Sequence, residues 1–375
     1  MAGIYIHIPF CKKRCTYCDF YTETTLKNIP QIINSIVLEL AIRKNYLNNS
    51  TINTIYFGGG TPSLLNKEDF SRIFEAIYSN YNVSKDAEIT FEANPDDLNE
   101  DFFESIKSIP FNRISIGIQS FDDEDLKRIN RRHNSSQALT AVENAKNAGF
   151  KNISIDLIYG LPYQTIQKWE KQLKMALNLE VQHISIYGLT YEEGTALYVQ
   201  REKGKITPVV DETMIEMYQL MVEMFEQKGF NAYEISNFCL PEYKSKHNTS
   251  YWNQEPYLGI GPSAHSYNIA TRQWNISSVS KYIEAIDKNT NFFEMEELSV
   301  DDQYNDFVMV SLRTSKGLDL ELLECKFGHF YKTFCLESIK SYLDNKKVEI
   351  KDGKLSLTKE GIQISNLILI DLMKV

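Results

Sequence analysis

Three of the six cysteines fall within eight residues, Cys11, Cys15 and Cys18, in the spacing C-x3-C-x2-C. Thiolates are soft ligands that hold zinc or iron–sulfur clusters, and a cubane [4Fe–4S] cluster normally takes four of them. Three on one short loop would leave one iron open to a small molecule. No fourth cysteine stands beside them, since position 20 is Phe. A zinc site completed by a remote ligand such as His7 would use the same thiols. Zinc ribbons and fingers, however, usually pair two separated C-x2-C elements, and only one such element is present. The other cysteines, Cys239, Cys325 and Cys335, are scattered and read as buried thiols that pack like small hydrophobes. In a reducing compartment, clustered cysteines point to a metal site rather than a disulfide framework.

The triad needs a scaffold, and the sequence supplies one. Six β-rich segments, 4–9, 52–57, 87–93, 113–119, 152–159 and 183–189, alternate with helical patterns over 30–46, 67–80, 99–108, 135–148 and 165–178. Such alternation means parallel β/α units. Six are too few for a closed eight-stranded barrel, so the expected fold is α/β, an open partial (β/α)6 barrel. One strand face is apolar throughout, as in Ile4, Ile6 and Ile8, and should pack on the helices. The other carries Tyr5, His7, Thr54, Tyr56, Thr90, Glu92, Ser115, Gln119, Ser154, Asp156 and Tyr187. Side chains alternate across a strand, so this face fills the barrel interior and suits a polar ligand. A sheet with one solvated face is the other way to satisfy it. Gly58-Gly59-Gly60-Thr61-Pro62 ends the second strand, at the barrel end where the cysteine loop also lies. Glycines there let backbone approach a ligand.

The alternation stops after a helix at 211–228. The chain is therefore divided into 1–232 (barrel), 233–290 (a loop-rich connecting segment) and 291–375 (a small C-terminal helical, winged-helix-like domain with an Asp352-Gly353 hairpin turn). That last unit carries 11 Lys and Arg against 15 Asp and Glu, so it reads as a lid or docking unit rather than a DNA-binding one. The whole chain of 375 residues has a net charge of −10 and no basic block, which excludes a general nucleic-acid footprint. No apolar run approaches the roughly 20 residues needed to cross a bilayer, and the N-terminus lacks the order of a signal peptide. The expected location is the cytoplasm, at most peripheral to a membrane.

Taken in order, the cysteine triad with YIHIPFC, YFGGGTPS, FEANP, SIGIQSF, DLIYGLP and YEISNF resembles the radical S-adenosylmethionine (SAM) superfamily, and within it the oxygen-independent coproporphyrinogen III oxidase group. The resemblance runs over nearly the whole chain. It implies a [4Fe–4S] cluster on Cys11, Cys15 and Cys18 whose open iron takes SAM, cleaved by one electron to a 5′-deoxyadenosyl radical. It also implies SAM contacts from Tyr5, Gly59, Gly60, Thr61, Glu92, Gln119, Arg131 and Asp156. Glu92 would serve the ammonium group, Arg131 the carboxylate, and Gln119 and Asp156 the ribose or adenine. All but Arg131 and the glycine loop stand on the polar strand phase.

Two departures narrow the match. The oxidases carry a further cysteine two places after the triad and an extension before it, whereas this sequence has Cys18-Asp19-Phe20 and its first cysteine at position 11. Both features, with His247-Asn248-Thr249-Ser250-Tyr251-Trp252 as an HNxxYW signature, resemble instead the HemW family. That resemblance implies a haem chaperone that binds haem as cargo and hands it to membrane haem proteins, with a reductant such as flavodoxin or ferredoxin. Decarboxylation of coproporphyrinogen is the alternative. His247 is then a candidate haem ligand, and equally a core histidine on a loop anchored by Tyr251 and Trp252. His265 is a second candidate, and His133 belongs to the SAM pocket or to solvent. Met214, Met217, Met221 and Met224 lie at helical spacing, as haem-facing thioethers or as a core stripe. Lys12, Lys13 and Arg14 would meet haem propionates, an electron donor or water.

Overall fold

The structure, a computed structural model, describes residues 1–374. The six expected strands form: β1 (Ala2–Ile8), β2 (Ile52–Gly59), β3 (Val83–Ala93), β4 (Arg113–Gln119), β5 (Ile153–Tyr159) and β6 (His183–Gly188). Each pairs parallel with the next. Between and after them run α1 (Ile29–Ile42), α2 (Lys67–Asn80), α3 (Glu100–Ile106), α4 (Asp123–Arg128), α5 (Ser135–Asn147), α6 (Ile166–Asn178), α7 (Ala196–Glu202) and α8 (Asp211–Gln227).

Local chemistry starts these helices where the chain must turn back. Asn66 with Asp69 opens α2 and Asn134 with Gln137 opens α5, both as reciprocal capping boxes, while Thr165 caps α6. Each cap satisfies orphan N–H groups and is worth about 1 kcal/mol. The apolar strand phase then meets the helices as expected. Ile4, Ile6, Ile8, Ile55, Phe57, Ile114, Ile116 and Ile155 are fully buried in one core. Phe57, Phe70, Phe74, Phe91 and Phe111 interlock there, with ring centroids 4.5–5.6 Å apart.

The segment 233–290 differs from its reading as a loop-rich connector. With the residues just before and after it, it builds both flanks of the sheet. β7 (Asn231–Ala232) and β8 (Asn237–Cys239) extend it beyond β6, and β9 (Tyr257–Ile260), β10 (His265–Tyr267), β11 (Thr271–Asn275) and β12 (Phe293–Glu297) extend it beyond β1. The result is one sheet of twelve strands, with β9 parallel to β1. These strands are two to five residues long, too short and too aromatic for a clear period of two. A buried network holds the new flank. Glu39 of α1 accepts from Gly261 N at 2.8 Å and Asn275 Nδ2 at 2.7 Å, and also takes the Tyr282 hydroxyl.

Because β12 belongs to the large sheet, the C-terminal unit starts near residue 298 rather than 291. It has its own core around Tyr304, Val308, Leu323, Cys335, Leu355 and Ile368, and a three-stranded sheet of β13 (Leu318–Asp319), β15 (Lys354–Leu357) and β14 (Val348–Lys351). The helical stretch that follows the hairpin is two pieces, Lys359–Ile362 and Ser365–Leu372. Gly361 packs so tightly on the hairpin that an added Cβ would lie 1.7 Å from the Lys347 carbonyl oxygen. The chain bends past this contact, and residues 362–366 turn toward the mouth of the barrel.

Candidate functional site

A cavity of about 1020 Å³ opens at the C-terminal ends of β1–β6. Its polar wall carries Gly59, Gly60, Thr61, Glu92, Gln119, Arg131 and Asp156, with the three cysteines on its rim. Seven of the eight residues expected to contact SAM thus converge. Tyr5 does not reach this wall. It stands a layer below, with its hydroxyl 3.1 Å from His7 Nδ1.

Backbone shape makes the wall. Gly59 has φ +98°, and a Cβ there would lie 2.4 Å from the His7 ring. At Gly60 a Cβ would meet the carbonyl oxygens of Phe10 and Ile8 at 2.6 and 2.7 Å. On β4 the register slips between Ile116 and Gln119, and Gln119 takes φ +68°. For a non-glycine residue this left-handed conformation carries strain, which concentrates at functional sites.

The cysteine loop is pinned from several sides. Thr61 Oγ1 donates to Cys11 Sγ at 3.3 Å, and Arg131 Nη1 donates to Cys15 Sγ at 3.4 Å. Thr16 N bonds Ile129 O at 3.1 Å and Asn130 Nδ2 bonds Arg14 O at 2.8 Å. Lys12 is not a free cation. It pairs with Asp97 at 2.9 Å, and the same carboxylate takes Ser63 and Arg132, each at 3.0 Å. Asn94 and Asp97 escaped the sequence reading. Asn94 accepts from Arg131 Nη2 at 2.6 Å and donates to Thr61 at 3.2 Å, so it joins the two residues that touch the thiols. The FEANPDD run following β3 was the available signal.

The donor set fits a cluster better than a single ion. Around zinc, with bonds of about 2.3 Å, all sulfurs crowd one point, whereas the thiolates of a cubane bind different irons. Among the described residues no three His, Cys, Asp or Glu side chains gather tightly enough for one ion. His7 cannot complete a zinc site, because Tyr5 takes its Nδ1 and the Tyr21 carbonyl its Nε2, each at 3.1 Å. Burial pushes the thiol of Cys18 up to about 11 and raises that of Cys11, so cationic iron would have to hold them as thiolates. Arg131 is half-buried, with its Nε buried and unpartnered, as fits a guanidinium with a carboxylate still to bind.

The acids of the wall are set by burial and by each other. Burial first, and then the charge of Asp156, push Glu92 up to about 7, while Tyr56 donates to it at 2.8 Å. Burial also raises Asp156, which accepts from Ser115 at 3.2 Å. His133 is buried rather than solvated, with Nε2 3.0 Å from Ile118 O.

His247 lies at the opposite end of the barrel. It sits on α9 (Lys246–Trp252), whose first N–H groups are taken by Glu88 at 3.0 Å. Its ring is 1% exposed and stacks on Tyr56 at 4.9 Å. Nδ1 lies 2.8 Å from Thr54 Oγ1 and Nε2 lies 2.8 Å from the Tyr251 hydroxyl. Neither nitrogen is free for iron, so the expectation of His247 as a haem ligand finds no support in this geometry.

With this arrangement in view, the comparisons with known proteins are direct. The Radical SAM superfamily model matches residues 5–176, and the HemN C-terminal domain model matches residues 298–364. A protein from Bacillus subtilis (strain 168) named heme chaperone HemW is 33% identical over 370 residues, covering 98% of this chain and 97% of that one. The chain belongs to the HemW family. Another HemW, from Lactococcus lactis, is 34% identical over 96% of this chain and 94% of its own. The coproporphyrinogen III oxidase HemN of Escherichia coli, a radical SAM enzyme, shares the fold with a TM-score of 0.86 at 23% identity, over 99% of this chain and 89% of that one. Membership of the superfamily implies a [4Fe–4S] cluster and SAM. Among the described residues of this HemW-family chain, no helix is long and apolar enough to cross a membrane.

Proposed function

We propose that this protein is a haem chaperone. It binds haem, carries a SAM-liganded [4Fe–4S] cluster on Cys11, Cys15 and Cys18, and passes haem to membrane haem proteins. The observation that carries this reading is the near full-length relation to proteins named heme chaperone HemW. Position 20, where the oxidase group has a further cysteine, supports it: here it is Phe20, 63% exposed on the cavity rim.

The bound cluster, once reduced, would supply the electron that splits the SAM sulfonium. The residues of the chain do the rest. Arg131, fixed by Asn94, would take the SAM carboxylate, and Glu92 its ammonium group. Gln119 and Asp156 would bind the ribose or adenine, and Gly59 and Gly60 would let backbone lie against the ligand. The reductant, a flavodoxin or ferredoxin, would meet the rim that carries Lys13 and Arg14.

The deciding experiment is anaerobic. The cluster is reconstituted, haem is titrated by absorption, and coproporphyrinogen turnover is assayed in parallel. Stoichiometric haem binding without protoporphyrinogen formation is expected. Turnover with feeble haem binding would instead make the protein an oxidase, despite Phe20.

A further inference from the structure

The polar wall described above accounts for only half of the cavity. The facing wall is largely apolar and aromatic, built from Tyr159 and Leu189 of the barrel, Met214 and Tyr218 of α8, and Ile364 of the C-terminal unit, with the carboxylates Glu192 and Asp211 also lining it. Tyr159 and Tyr218 stand with ring centroids 6.5 Å apart at 45°. Met214 and Tyr218 are four residues apart and share a helix face. The methionines expected to form one stripe therefore divide: Met217 and Met221 are fully buried in the core, while Met214 faces the cavity. Gly160, with φ +76°, makes room for it, since a Cβ there would lie 2.1 Å from the Met214 sulfur.

One cation stands on the rim of this wall. Arg313 lines the cavity, and its position is fixed where the two cores join, since Ile235 N donates to Arg313 O at 3.1 Å and Ser315 N to Tyr233 O at 3.1 Å. The described residues offer its guanidinium no ion pair, although Arg128, Arg132, Arg201 and Arg272 all have one. Nearby Glu234 accepts from Ser236 N and Asn237 Nδ2 through Oε1, and its charge acts on Arg313 from beyond ion-pair range.

A largely apolar, aromatic face, a soft thioether and a guanidinium without an ion pair at the rim suit an iron macrocycle with carboxylate arms. We propose that haem binds here, between α8 and residues 362–366, with Met214 Sδ toward the iron and Arg313 on a propionate. This site rests on the chaperone reading above and replaces His247, whose ring nitrogens are both spent. Together the two walls enclose about 1020 Å³, at the upper end of ordinary ligand sites, so SAM and haem would share one chamber.

The test uses the full chain with its cluster reconstituted, titrated with haem and separately with iron-free protoporphyrin. Met214→Leu keeps the wall but removes the sulfur. It should weaken haem binding about tenfold and shift the Soret band, while leaving iron-free protoporphyrin binding unchanged. Arg313→Met should weaken both ligands by about ten- to a hundredfold, with Arg313→Lys recovering part. Wild-type affinities and spectra in both Met214→Leu and Arg313→Met would overturn the site. So would loss of haem binding in His247→Gln with Met214→Leu unaffected, which would return the iron to α9. If the unaltered protein binds no haem at all, the chaperone reading itself falls.

Discussion

Glu92 and Arg113 show how the barrel interior balances charge around a ligand that brings its own. Glu92 is pushed up to about 7, chiefly by burial and secondly by Asp156, and only its anionic form can accept an ammonium group. SAM affinity, followed by isothermal titration, should therefore fall as pH drops through about 7. Glu92→Gln should bind weakly throughout, without that inflection. Arg113 is 1% exposed, with its Nε unpartnered and, among the described residues, no carboxylate in ion-pair range. It faces Glu92 and Asp156 at a distance, along with His183, His247, Tyr56 and Tyr233. Arg113→Met removes this charge without breaking a direct ion pair. Its SAM-binding inflection should move to higher pH, because a charge that helps ionise Glu92 is gone. An unmoved inflection would show that Arg113 does not act on Glu92.

Among the elements, α9 is a plug rather than an arm. It closes the end of the barrel opposite the cysteines, with Glu88 at its N-terminus and His247 between Thr54 and Tyr251. Truncating His247 to Ala strands two buried hydroxyls and leaves a void, at a cost of about 2–4 kcal/mol by denaturant unfolding at pH 7. That cost should depend on pH with a definite sign. Burial lowers His247 to about 3, far below its ordinary 6.5, so on acidification the unfolded chain takes up this proton first. The stability that neutral His247 contributes is complete above about 6.5 and is lost as pH falls toward about 3. The gap between the unaltered protein and His247→Ala should therefore narrow with falling pH, and a constant gap would contradict the buried neutral ring.

For the whole molecule, two separate cores meet along one cavity. The first gathers the barrel and most strands of its sheet, and the second holds residues 304–372. Backbone bonds at 233–235 and 313–315 join them, and residues 362–366 face the barrel mouth. Calorimetry of the ligand-free protein should resolve two transitions. Haem held between the units stabilises only their joined form, so saturating haem should raise and merge them. Haem that shifts only one transition would place it within a single unit.

Much of this was written along the chain. Alternation of apolar and polar residues is a local property, so the six parallel strands, their helices and the polar interior were legible at once. The three clustered cysteines lie within eight residues, and the polar wall of the cavity follows from strand phase joined to family motifs. The flanking strands were hidden because each is short and owes its place to partners far away: β9 sits on β1, some 250 residues earlier in the chain. For the same reason, only pairing with β11 assigns β12 to the large sheet. The surroundings of His247 and Met214 were decided by tertiary structure alone. A histidine beside aromatic residues reads as a possible ligand until both its nitrogens are seen to be spent. A methionine in a helical stripe reads as core until one turn of the helix is found facing a cavity. Sequence specifies which groups exist and which face they share, but which of them remain unpaired depends on long-range packing.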